Sequence, residues 1–189
     1  ELATDTTDSN GNYLFEDLPQ GDYTVEVDPA TLPDDLQQTY DADGLGTPDE
    51  SSLTLPSGAD NLDQDFGYQP LGTIGDRVWF DDNGDGVQDG GEAGIPNVTV
   101  NLLDSNGNVI DTDTTDGSGN YLFTDLPQGD YTVEVDTATL PDDVQQTYDA
   151  DGLGTPDQSS LSLPSGGDNL AQDFGYQPLG TIGDRVWFD

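Results

Sequence analysis

The chain has 189 residues, 40 of them acidic and only two basic, with no histidine and no cysteine, for a net charge of −38. A charge of that sign and size excludes binding to nucleic acid or to an anionic membrane, both of which need basic patches, and it opposes compaction unless divalent cations or high salt offset it. The usual nucleophile–base pairs of catalysis are missing as well, because lysine, histidine and cysteine are all absent.

Low hydrophobicity with high charge is also a signature of disorder, but here the apolar residues alternate in strand patterns. No run nears the roughly 18 apolar residues of a membrane span, so no direct membrane insertion is expected. Self-comparison sets the organisation. Residues 1–81 return as residues 109–189 at a fixed offset of 108, with 69 of 81 positions identical. Tyr13 returns as Tyr121, Tyr40 as Tyr148 and Phe66 as Phe174. A period of 108 residues is a domain duplicated in tandem rather than a solenoid repeat. Residues 1–70 read as the back part of one unit, without its first two strands. Residues 72–178 read as a complete unit, and residues 180–189 as the first strand of the next. The chain begins at Glu1 in what reads as mid-strand, so it reads as a window on a longer array. The joints Gln69-Pro70-Leu71 and Gln177-Pro178-Leu179 are short and contain proline, which restricts hinge motion.

In the complete unit the first strand spans Thr73–Phe80. The twelve residues that follow, Asp81 to Glu92, read D-D-N-G-D-G-V-Q-D-G-G-E. Side-chain oxygens fall at loop positions 1, 3, 5, 9 and 12, on Asp81, Asn83, Asp85, Asp89 and Glu92. Gly86 takes position 6, where a sharp turn is needed, and Val87 takes position 7, where only the backbone carbonyl serves. This is the full pattern of a calcium loop, in which alternate residues of one tight turn offer a hard cation six or seven oxygens. The alternative is a solvated acidic turn. No helices flank the loop, so it is expected to bridge two strands.

Val98–Leu102 alternates, with Val98, Val100 and Leu102 on one face. Asn106-Gly107 signals a hairpin turn. Val109–Thr115 is a polar strand, expected at an edge or facing solvent. Tyr121–Thr124 and Tyr131–Val135 are strands, the second with Tyr131, Val133 and Val135 inward. One helical turn is allowed near Thr137–Leu140. Gln145–Tyr148 and Ser159–Leu163 are weaker strands, and Leu170–Tyr176 closes the unit. Short strands with turns every 8–12 residues predict an all-β fold of tandem antiparallel β-sandwiches.

The stretch Gly119–Val135 (GNYLFTDLPQGDYTVEV) resembles the G-x-Y-x-F-x-x-L-x-x-G-x-Y-x-V-x-V signature of collagen-adhesin B-type domains. With Gly75–Asp81 (GDRVWFD), the acidic loop and Gly94–Val100 (GIPNVTV), the whole unit resembles the calcium-binding, SdrD B-like repeat of serine-aspartate-repeat surface adhesins. The resemblance implies an Ig-like or prealbumin-like sandwich that holds several Ca2+ ions and stiffens on binding them. It also implies an extracellular, cell-surface setting between a ligand-binding head and the cell wall. Related modules often carry a Lys–Asn isopeptide bond. This chain has no lysine, which leaves calcium as the stabiliser. The chain is also far more acidic than typical relatives, and it carries no sortase-type LPxTG sequence.

Under the same resemblance Asp149-Ala-Asp151-Gly152 is a second calcium loop, to which Asp157 and Asp173 add oxygens. Asp41, Asp43, Asp49 and Asp65 repeat that set in the first copy. An Asp-rich turn explains these positions equally well. Asp189 would be the first ligand of a third, incomplete loop. Arg77 and Trp79 share a strand face, with Trp79 expected in the core and Arg77 at the surface. The principal reading is therefore a calcium-stabilised stalk or spacer, its partners being neighbouring modules of the same chain. Two alternatives stand beside it. The repeats could bind a glycan or protein themselves, which requires an exposed aromatic patch near Tyr148 and Tyr176. Or copies could associate laterally into a fibre through edges such as Val109–Thr115.

Overall fold

The computed structural model describes residues 1–188, so Asp189 lies outside the described residues. The chain resolves into two compact units, Glu1–Tyr68 and Gln69–Asp189. In the first, β1 (Gly21–Glu26) pairs antiparallel with β3 (Glu50–Leu55), and β2 (Leu36–Asp41) pairs with β4 (Phe66–Pro70). A single 3-10 turn, Pro29–Thr31, is capped by the Asp28 carboxylate.

The second unit carries β5 (Gly72–Phe80), β6 (Thr99–Leu103), β7 (Val109–Thr114), β8 (Asn120–Leu126) and β9 (Gly129–Val135). These are followed by β10 (Val144–Asp149), β11 (Gln158–Leu163), β12 (Asp168–Asn169) and β13 (Phe174–Pro178). One sheet has the order β10-β13-β5-β12, with β8 also on β5; the other has the order β11-β9-β6-β7. A single apolar cluster joins them. Ile74, Val78, Phe123, Phe174 and Tyr176 come from the first sheet, and Val100, Leu102, Val133, Val135 and Leu163 from the second. This is the expected all-β sandwich. Its core faces are the period-2 faces of the sequence: Val100 and Leu102 on β6, and Tyr131, Val133 and Val135 on β9, are all buried. Each fully buried Val, Ile or Phe contributes about 1.5–3 kcal/mol. Strand β7, with the polar run Asp111–Thr114, lies at a sheet edge as expected.

Two features depart from a plain antiparallel reading. Strand β5 runs parallel to both β12 and β13, so the first and last strands of the unit lie side by side. The expected closing strand Leu170–Tyr176 is also interrupted. Residues 170–173 leave the ladder, the Gln172 N–H donates to the Gly75 carbonyl at 3.1 Å, and the Asp173 carboxylate accepts the Arg77 N–H at 3.1 Å. Burial raises the Asp173 carboxyl to about 6, with Asp76 adding to the rise and Arg77 opposing it.

The end of β5 is closed by a hairpin whose tip is the acidic loop. The Phe80 N–H donates to the Ala93 carbonyl and the Ile95 N–H to the Val78 carbonyl, each at 2.8 Å, and Trp79 bridges Gly94. Three backbones crowd here. A Cβ on Gly119 would lie 2.3 Å from the Val78 carbonyl oxygen, and its φ of +84° already disfavours a side chain.

The sequence Leu71–Asp81 recurs unchanged as Leu179–Asp189. In β5 it is a strand held by β8, β12 and β13, with Ile74 and Val78 fully buried. Residues 180–188 form no strand, and Ile182 and Val186 are fully exposed. Partners, not local propensity, make this segment a strand.

Two outcomes follow for the second unit. Gly119→Ala is expected to lower its stability to urea by about 2–3 kcal/mol, while Ile110→Ala, on the exposed edge strand, shifts it by less than about 0.5 kcal/mol. Asp173 holds a proton in the fold that the unfolded chain has already released between about pH 4 and 6, so its burial costs stability as pH rises through that window. In urea titrations with EDTA, Asp173→Asn is expected to exceed the parent in stability above about pH 6, the gain vanishing below about pH 4.

Candidate metal centre

The loop Asp81–Glu92 is organised around one buried carboxylate. Asp81 directly follows β5 and is fully buried. Its backbone N–H donates to the Tyr176 carbonyl at 2.9 Å, which fixes it beside β13. Its Oδ1 accepts the N–H groups of Gly84 (2.7 Å) and Asp85 (3.2 Å), and its Oδ2 accepts that of Gly86 (2.8 Å). Burial alone would raise this carboxyl. The Thr147 hydroxyl beside it and the N–H groups of Gly86, Gly84 and Asp85 outweigh burial and hold it below the usual carboxylate value. The chain can wrap this tightly because Gly84 and Gly86 take φ of +75° and +73°.

The other loop oxygens follow in a cascade of short-range turns. Asn83 Oδ1 accepts the Asp85 N–H at 2.9 Å, and Asp85 Oδ1 accepts the Val87 N–H at 2.9 Å. The Asn83 amide donates to Asp85 Oδ2 (3.1 Å) and Asp89 Oδ2 (3.0 Å), placing its partial positive charge between two carboxylates. Glu92 reaches back with both oxygens, to the N–H groups of Asp82 and Asp89, each at 2.9 Å. The Val87 side chain points to solvent, as a residue that offers only its carbonyl can afford to do. Arg77 donates to the carbonyls of Ser118 (2.8 Å) and Glu92 (3.3 Å), so it braces the end of the loop through backbone.

Among the described residues, no three carboxylates converge closely enough to hold a metal ion. The loop carboxylates are instead turned onto the N–H groups and the Asn83 amide named above. The donor set still suits one kind of ion. It is all oxygen, with no nitrogen or sulfur, which fits a hard cation such as calcium. Trp79 Nε1 and Asp149 Oδ1 are buried without a hydrogen-bond partner.

The second candidate set is only partly brought together. Asp149 is buried at the end of β10, where burial, then Asp151, pushes its carboxyl up, and Gln146 donates to its Oδ2 at 3.0 Å. Asp151 accepts the Ser160 N–H at 2.8 Å. Asp157, at φ +61°, accepts the Tyr176 hydroxyl at 2.8 Å, and its own N–H donates to Gln146 at 2.8 Å. Gln146 thus links Asp149 with Asp157, and the Tyr176 hydroxyl adds a bond to Asp157 alone. Asp173 faces Arg77 and Asp76 instead, across the break between β12 and β13. The first unit repeats this wiring: Asp41 accepts from Gln38, Asp43 from the Ser52 N–H, and Asp49 from the Tyr68 hydroxyl at 2.7 Å. Asp65 is exposed there and acts on Tyr13, as Asp173 acts on Tyr121.

The sequence reading missed Thr147 and Gln177. Neither belongs to the loop pattern, and a polar residue in a strand carries no signal of its own. Both touch the loop. The Thr147 carbonyl oxygen lies 3.4 Å from where a Cβ on Gly86 would stand, and the Gln177 amide nitrogen 2.5 Å from one on Gly84.

The SdrD B-like domain family matches residues 1–68 and 72–176. Serine-aspartate repeat-containing protein F of Staphylococcus epidermidis (strain ATCC 12228 / FDA PCI 1200) is 40% identical over 200 residues, covering 100% of this chain and 12% of that protein. Serine-aspartate repeat-containing protein D of Staphylococcus aureus (strain Newman) is 39% identical over 198 residues, covering 97% of this chain and 14% of that protein. The chain therefore spans a small part of the relatives it matches. Among solved structures, GBS52, the minor pilin of Streptococcus agalactiae, is similar at a TM-score of 0.43 and 15% identity, over 97% of this chain and 71% of that one. On the family match and the identity to these relatives, the chain belongs to the SdrD B-like domain family.

Proposed function

We propose that this chain is a structural spacer of an extracellular, cell-surface adhesin or fibre, built from tandem B-like modules that calcium stabilises and stiffens. The observation that carries the reading is the loop Asp81–Glu92. Its buried Asp81 carboxylate, its all-oxygen donor set and its place at the end of the central strand β5 support a structural cation rather than a catalytic one. Asp81, Asn83, Asp85, the Val87 carbonyl, Asp89 and Glu92 would hold the ion. Bound calcium supplies two positive charges to a chain that has only two basic side chains of its own.

The module is not an enzyme; its family is a structural adhesin repeat. The alternative, a module that binds a glycan or protein directly, needed an exposed aromatic patch in each unit. In the complete unit Tyr176 is buried and Tyr148 packs on Trp79 with ring centroids 5.4 Å apart, which favours the spacer. Lateral pairing of copies through β7 faces the repulsion of Asp111 and Asp113 on that strand. Partners beyond neighbouring modules of the same chain are not needed for a spacer.

Thermal unfolding tests the reading. With free calcium about 100-fold above the dissociation constant, one occupied site adds about 2.7 kcal/mol, which raises the melting temperature of a domain this size by about 10 °C or more. Asp85→Ala with Glu92→Ala is expected to remove most of that rise, measured against the variant's own melting temperature in EDTA, which the lost loop hydrogen bonds of Asp85 and Glu92 lower. Equal melting with calcium and with EDTA would remove calcium from the proposal.

A further inference from the structure

The joint Gln69-Pro70-Leu71 reads in the sequence as a short link, yet it lies within the second compact unit, Gln69–Asp189. The turn Pro164–Asp168, between β11 and β12, closes on it. The Gly166 N–H donates to the Pro70 carbonyl at 3.0 Å, and the Thr73 N–H donates to the Gly167 carbonyl at 3.2 Å. The Thr73 hydroxyl donates to Asp168 Oδ1 at 2.8 Å. Strand β12 continues the contact as a parallel pair, with Asp168 opposite Thr73 and Asn169 opposite Ile74. The two backbones meet with no room for side chains. A Cβ on Gly72 would lie 2.1 Å from the Gly167 carbonyl oxygen, and one on Gly166 would lie 2.9 Å from Pro70 Cβ. The turn itself is tight as well. The Gly167 N–H donates to the Pro164 carbonyl at 3.0 Å, and a Cβ on Gly167 would lie 2.6 Å from Pro164 Cγ. The first unit closes the corresponding turn with Ala59, whose N–H donates to the Pro56 carbonyl at 3.2 Å. The same turn therefore takes a methyl group in one unit and has no space for it in the other.

We propose that the turn Pro164–Asp168 is a calcium-independent clamp on the joint, and that the residue at position 167 sets how closely the joint is held. Residues 70–73 then belong to the fold of the module they enter and are not a free linker. Proline alone fixes one φ angle and leaves its neighbours free; here hydrogen bonds on both sides of Leu71 and Gly72 hold the peptide as well. None of these contacts involves Asp81–Glu92, so the clamp does not rest on the calcium reading. Glycine at position 167 lets the turn close until its carbonyl reaches Thr73. Alanine, as at position 59, needs a wider turn, and the carbonyl then withdraws from Gly72 and Thr73. The exit of the unit is held in a similar way, since the Leu179 N–H donates to the Asp143 carbonyl at 2.7 Å. The glycine-to-alanine difference between two nearly identical copies is thus a setting of joint mobility written into the sequence.

The test is amide hydrogen exchange of the whole chain, followed residue by residue by NMR in EDTA, for the parent, Gly167→Ala and Thr73→Val. The Gly166 N–H reports the clamp, because its partner is the Pro70 carbonyl. The N–H groups of Val100 and Val133, on the core strands β6 and β9, report the unit as a whole. In the parent the Gly166 N–H is expected to exchange about 100-fold more slowly than a free turn amide. Gly167→Ala is expected to speed that exchange about tenfold or more while the core amides keep their rates. Thr73→Val loses the bond to Asp168, keeps every glycine, and is expected to speed it by a smaller factor. Free exchange of Gly166 in the parent would overturn the proposal, as would protection that appears only when calcium is added. Unchanged Gly166 exchange in Gly167→Ala would overturn it too. If Gly167→Ala speeds turn and core alike, the unit has loosened as a whole and Thr73→Val decides: faster exchange at Gly166 alone supports the clamp, and no change there overturns it. A chain that takes up no calcium leaves these outcomes as they are, so the two readings fail separately.

Discussion

A single carboxylate, that of Asp81, is buried at the point where the central strand ends and the acidic loop begins, and much of the unit is arranged to keep it charged. Its oxygens accept three backbone N–H groups from the loop that it starts. Those bonds force the two left-handed glycines, which in turn bring the loop down onto β10 and β13. The same strand end is closed from behind by the Ala93–Ile95 return, which needs the bare backbones of Gly94 and Gly119. A burial penalty of several kcal/mol for an isolated charge would otherwise neutralise the group or open the site. Here the backbone itself provides the compensation, because the sequence has almost no cationic side chains to do so.

That scarcity shapes the rest of the molecule. With 40 acidic residues and two arginines, ion pairing cannot be the general means of stabilisation. Acidic side chains are satisfied by backbone N–H groups instead. Asp104 and Asp116 cap their own turns, and hydrogen bonds from Asn108 and Asn106 bring Asp104 to about 2. Aspartate suits this role better than glutamate, since its short side chain reaches the backbone two residues on. The consequence is a fold whose turns are well defined but whose overall field is strongly negative. The proposed divalent cation, held by the loop oxygens, would neutralise part of that charge and brace the loop.

Much of this was legible in the residues. The inward faces of β6 and β9 follow from strict alternation, and the edge position of β7 from its Asp and Thr content. The loop between two strands follows from a twelve-residue pattern without helical flanks. Pairing direction was not legible, because alternation fixes which face a residue takes and says nothing of strand polarity; hence the parallel contact of β5 with β12 and β13. The break at residues 170–173 was also hidden. Leu170 and Phe174 keep an apolar spacing that reads as one strand, while Gln172 and Asp173 are turned onto β5 by tertiary hydrogen bonds. The resemblance groups Asp173 with Asp149, Asp151 and Asp157, whereas the fold places Asp173 beside Asp76 and Arg77. The eleven residues Leu71–Asp81 and Leu179–Asp189 show the limit most directly, since one sequence is a buried strand in its first occurrence and carries no strand at 180–188 in its second.

The most direct check on a cation at the centre of this arrangement is a diffraction structure of the chain grown with calcium and measured for its anomalous signal. If the loop is a calcium site, one ion will lie within it, ringed by six or seven oxygens from Asp81, Asn83, Asp85, the Val87 carbonyl, Asp89 and Glu92 at about 2.3–2.6 Å. The Asn83 amide will have left Asp85 and Asp89. A loop that keeps its present hydrogen bonds at millimolar calcium, with no anomalous peak inside it, would show that the buried Asp81 turn is complete without a metal and would contradict the calcium-stabilised spacer.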